Sequence, residues 1–171
     1  MILSEQFVGI VAGAGVMLPG IAASLLVPSI IRRVPPVWLY LLIGTFGALF
    51  TLMLAGLRGT PAIFALAVLG ENAFQSAAFA VENTIILNTI GEGNPLAATQ
   101  YALLYSAPTF PIAYMQAVDG AAYGIGGLSG SYLADALLSL AACAVLALLF
   151  GFVRQTETEP EAARISANAA M

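Results

Sequence analysis

A chain of 171 residues that is 60% hydrophobic and only 8% charged, with mean hydropathy +0.95, has too few charges to cover a water-facing surface; soluble domains carry roughly a quarter charged residues. Its formal charge of −4 rests on nine acids and five arginines, with no lysine and no histidine. That balance leaves no basic patch for nucleic acid, and the lack of histidine together with a single cysteine excludes the usual zinc, haem and Cys–His chemistries. No cofactor or metal is expected, and little remains for an enzyme to use.

The apolar residues come in blocks long enough to cross hydrocarbon, which takes roughly 20 residues at helical rise. The expected class is an all-α integral membrane protein of about five transmembrane helices, with the lipid bilayer as its first partner. The start, Met1-Ile2-Leu3-Ser4-Glu5-Gln6, has no positive charge before its first apolar stretch, which argues for a retained span over a cleaved signal peptide. The first span covers about 7–31, is rich in glycine and alanine, and stops at Arg32-Arg33-Val34-Pro35-Pro36. The second, about 37–57, opens with Trp38 and Tyr40 as interfacial anchors. Thr60 as N-cap and Pro61 at the first helical position open the third, about 61–90. Asn94-Pro95 repeats that signal and opens the fourth, about 95–118. A glycine-rich stretch from Gly120 to Gly130 reads as a turn region, and the fifth span covers about 132–153. Cys143 lies inside that last apolar run and reads as packing. Residues 155–171 are polar, acidic and alanine-rich, and read as a disordered tail.

The third span is the least lipid-like. Glu71, Gln75 and Glu82 fall at i, i+4 and i+11, on one helix face, with Asn72 beside them. Glu71 lies about 15 Å along the helix from Pro61, near the bilayer centre, where an acid costs roughly 2.5–3.5 kcal/mol on insertion scales and usually faces a cavity or a partner. It is either a substrate or proton site in a watered cavity, or a neutral carboxyl bonded to a neighbouring helix. Glu82, farther along near the cytoplasmic interface, is either a gate residue or a solvated charge. The fourth span carries Tyr101, Tyr105, Thr109, Gln116 and Asp119 along one side, interrupted by Pro108 and Pro111. It reads as a cavity-lining helix or as a polar stripe satisfied by its neighbours. Asp119 and Asp135 fall near the outer interface.

Two segments carry a family likeness. Leu69-Gly70-Glu71-Asn72-Ala73, followed by Asn94-Pro95-Leu96-Ala97-Ala98-Thr99-Gln100-Tyr101-Ala102-Leu103-Leu104, resembles the tenth and eleventh helices of major facilitator superfamily transporters of the AmpG-like muropeptide permease group. The likeness is good over about 40 residues and generic elsewhere. It implies that the five spans are helices eight to twelve of a twelve-helix permease in a bacterial inner membrane, whose N-terminal part, from the same gene or a separate chain, is a partner. By the same likeness Glu71 and Asn72 match the family's mid-membrane pair, and Thr99 and Gln100 the cytoplasmic start of helix eleven. Arg32 and Arg33 lie in the preceding cytoplasmic loop. The implied activity is secondary, proton-coupled transport of a small solute such as a muropeptide or another organic anion. Where the family carries a Gly-Arg pair in mid-helix eleven, this chain has Pro111-Ile112.

Five spans with the N-terminus outside put Arg32, Arg33 and Arg154 together in the cytoplasm and leave Arg58 alone outside, as the positive-inside rule requires. Reporter fusions after Thr60 and after Asn94 are expected to read outside and inside respectively. The reverse pattern would overturn this topology.

Overall fold

The computed structural model describes residues 4–152, and within them every regular element is a helix. Helix α1, Glu5–Ile31, opens with Ser4 accepting a hydrogen bond from the Phe7 amide. It widens into a π-helical stretch over Ile10–Gly15. Pro19 explains where that stretch ends: it has no N–H to give the carbonyl four residues back, at Gly15, so the α-helical ladder is broken there in any case. Helix α2 spans Pro36–Ala55 with proline at its first position, where a missing donor costs nothing.

Helix α3, Pro61–Ile90, is capped by Thr60, whose hydroxyl accepts from the Ile63 amide at 3.2 Å, and it closes on Gly91 at φ 73°. At 30 residues it is about 45 Å long by helical rise, half as long again as a typical hydrocarbon core. Helix α4, Ala97–Ser106, starts two residues later than the Asn94-Pro95 signal predicts. The Asn94 side chain accepts from the Leu96 amide instead, holding 94–96 in a turn. Helix α5, Thr109–Ala169, follows a break at Ala107-Pro108 and is described to Phe152. The tail expected to be disordered, 155–171, lies outside the described residues.

The glycine-rich segment is not the open turn that its composition suggests. Gly120 to Gly126 remain helical. The break is confined to Gly127, at φ 61° and ψ −151°. Beyond it the chain folds back: a β-carbon added to Gly130 would lie 2.6 Å from the Ala122 carbonyl oxygen, whereas eight residues of unbroken helix span about 12 Å.

Helix α3 is the centre of the bundle. It packs against α1, α2 and α4, while α5 packs on α2. Val27, Leu39 and Val81 form a small core between α1, α2 and α3, and Val81 is wholly buried. Outward-facing side chains are apolar and large: Leu25 is 72% exposed, Phe110 76% and Ile125 92%. Four helical stretches are long and apolar enough to cross a membrane: Glu5–Ile31, Pro36–Ala55, Pro61–Ile90 and the interrupted Ala97–Phe152.

Gly127 sits where essentially only glycine is stable, and a side chain there costs about 1–3 kcal/mol. Gly127→Ala is therefore expected to lower the unfolding midpoint in detergent. Gly124→Ala, in open space and regular helix, should leave it unchanged or raise it, since alanine gains up to about 1 kcal/mol over glycine in a helix. Equal effects at the two positions would contradict the strained reversal.

Candidate functional site

The polar residues of α3 divide into two groups. Asn72 donates to the Val68 carbonyl at 2.8 Å, Asn83 to Phe79 at 2.9 Å and Thr84 to Ala80 at 3.0 Å, so each is satisfied by its own helix. Asn83 also accepts the Tyr101 hydroxyl at 2.9 Å, which ties α4 to α3. Glu71, Gln75 and Glu82 have no such bond among the described residues. All three line the cavities on one side of α3, and Ser76 lines another against α1.

Glu71 and Gln75 line a cavity of about 420 Å³ between α2, α3 and α5, facing Asp135 and Ser139 of α5. Close helix approach makes this geometry, and glycine makes the approach. At Gly44 on α2 a β-carbon would come within 2.9 Å of the Cys143 sulfur on α5, and at Gly47 within 3.5 Å of Phe74 on α3. Gly70, next to Glu71, leaves room for the Phe50 ring, which an added β-carbon would overlap. Phe50 and Phe74 then pack tilted at 5.6 Å and form an apolar part of the cavity lining.

The site is acidic throughout. Glu71 lies within Coulombic reach of both Asp135 and Asp119, and Tyr132 lies within reach of Glu71. No ion pair neutralises these acids among the described residues, and Arg32, Arg33 and Arg58 are exposed in loops. The described acids form no group that could hold a metal ion. Glu82 lines a second cavity of about 530 Å³ with Tyr40, Gln75, Pro108 and Pro111, at the break between α4 and α5.

The sequence-derived candidates therefore separate. Glu71 and Gln75 meet in one cavity, and Gln75 and Glu82 in the next. Asn72 turns back onto its own backbone instead of lining the site with Glu71. Tyr105 stacks on Tyr101 at 5.6 Å, and Thr109 donates to the Ser106 carbonyl at 2.6 Å. Tyr105, Thr109 and Gln116 are all exposed. Thr99 is exposed too, and Gln100 accepts from the Asn94 amide at 2.8 Å in the turn before α4.

Sequence reasoning missed Asp135 and Ser139. The sequence places Asp135 only near the start of a span; the fold-back at Gly127 precedes it, and it lines the cavity with Glu71. Its spacing of four from Ser139, which puts both on one helix face, was the available signal. Tyr40, read as an interfacial anchor, lines the cavity of Glu82. Comparison of the chain with protein-family models, curated proteins and solved structures finds no match.

Because Phe50 occupies the space a side chain at Gly70 would need, Gly70→Ala is expected to cost about 1–3 kcal/mol through overpacking. Gly70→Ala with Phe50→Leu should recover most of that loss. A double-mutant cycle on unfolding in detergent checks it; additive losses would show that the two side chains are not coupled.

Proposed function

We propose that this chain is the C-terminal helical bundle of a secondary transporter of the major facilitator type, working in a bacterial inner membrane with its N-terminus outside. The observation that carries the proposal is the acidic cavity between three apolar helices, where Glu71 and Asp135 face each other's field without a cation. Ionisable groups at membrane depth are expensive and typically mark substrate or ion pathways. A structural carboxyl would be hydrogen-bonded to a neighbouring helix, and Glu71 is not.

In this reading Ala97–Phe152 contributes two spans, divided at Gly127, for five in all. Its 56 residues would be about 84 Å long as one helix, nearly three hydrocarbon thicknesses. The exposed Tyr105, Thr109 and Gln116 then face the separate N-terminal bundle, which completes the central site. Transport proceeds by rocking one bundle against the other around a midplane site. Glu71 exchanges a proton with whichever side the cavity opens to, which couples the solute to the proton gradient. An anionic solute such as a muropeptide would need its cationic partner from the N-terminal bundle, because the charged residues lining this cavity are acids.

Water-soluble carbodiimide applied to membranes containing the chain should modify Glu71, as read by peptide mass spectrometry, and Glu71→Gln should remove that adduct. In the assembled transporter Glu71→Gln should abolish proton-coupled uptake at normal membrane levels. An unreactive Glu71, or loss of the variant from the membrane, would make the residue structural and the chain a non-transporting subunit.

A further inference from the structure

The cavities along α3 share walls. Gln75 and Ala78 line both the cavity of Glu71 and the next one, and Tyr40, Glu82 and Ile86 line both that one and a third of about 270 Å³ against Leu146 and Phe150. Glu71, Gln75, Ala78 and Glu82 sit at i, i+4, i+7 and i+11, so the shared walls follow one face of one helix for about 16 Å. The smallest residue of the four, Ala78, lies between the two polar ends.

We propose that this face of α3 is a continuous aqueous track, with Glu71 at its inner end and Glu82 at its mouth. The inference rests on the transport reading for its purpose, but its physical basis is separate. Glu71, Gln75 and Glu82 each lack a protein hydrogen-bond partner among the described residues, and unsatisfied polar groups at membrane depth cost several kcal/mol each. Water is the partner that fits. Each cavity exceeds by far the space one water needs, and each presents the polar atoms that hold it. Away from this face, Ala77 and Ala80 pack against the core around Val81, while Ser76 lines a separate cavity of about 430 Å³ with Gly20 and Ser24 of α1, which shares no wall with the track. Glu82 is thereby a path residue and not a solvated surface charge.

A cysteine scan in a Cys143→Ala background, in native membranes with a charged methanethiosulfonate reagent, tests the track. Gln75→Cys, Ala78→Cys and Glu82→Cys are expected to react at least about tenfold faster than Ala73→Cys and Ala80→Cys, because a thiol pKa raised by one unit in apolar surroundings already removes that much thiolate. That periodic pattern supports the track whether or not uptake depends on Glu71. A silent Ala78→Cys while Glu71 still reacts with carbodiimide overturns the track and leaves the transport reading standing. Equal reactivity on both faces overturns it as well.

Discussion

Inside hydrocarbon a polar group must find its partner within the protein or in trapped water, and this single requirement orders the structure. It accords with every described stretch long and apolar enough to cross a membrane being helical. It also sorts the side chains. Thr45 and Thr51 of α2 donate to the carbonyls of Leu41 and Gly47, one turn back, and Asn72, Asn83, Thr84 and Thr89 of α3 do the same. Short polar side chains can close on their own helix in this way. Glu71, Gln75 and Glu82 are longer, reach past their own backbone, and open onto cavities. These three residues give the site its polar groups on α3.

Glycine sets how near the surrounding helices come. Without hydrophobic drive between helices in lipid, association depends on close packing, and small residues permit it. Gly44 admits Cys143, Gly47 admits Phe74 and Gly70 admits Phe50, so α2 meets α5 and α3 at contact distance on the side where Glu71 points. The spacing Gly9–Gly13, which fits the same motif on paper, meets nothing within 4 Å at either residue. Spacing alone does not separate a packing glycine from an idle one; the neighbour does.

The helices, their caps and the polar face of α3 were legible in the sequence because each is a local property. Thr60-Pro61 sets the start of α3, and the positions of Glu71, Gln75 and Glu82 need only the helical period. What was not legible depends on contacts far apart in the chain. Asn72 stands next to Glu71 in sequence, yet about 100° of helical turn sends it to a different neighbourhood, where its own backbone is the nearest acceptor. Asp135 is 64 residues from Glu71 and reaches it through one glycine conformation, at Gly127. The composition of 120–130 signals a break but not its place, since seven helical residues precede it.

The stretch from Ala102 to Gln116 poses the reverse problem. Nearly every side chain in it is exposed, and it is tied to the bundle chiefly by the Tyr101–Asn83 bond. For Leu103 and Phe110 exposure is no difficulty, since lipid accepts them. Thr109 closes on the Ser106 carbonyl, and Tyr105 covers one ring face by stacking on Tyr101. Gln116 has neither recourse: its amide is too long to close on its own turn and meets no partner among the described residues. The same reasoning that places water beside Gln75 therefore places a polar surface beside Gln116. Both are exposed, but Gln75 lines a cavity between three helices of this chain, whereas Gln116 lies at the edge of the bundle. A second bundle packed there would supply its partner.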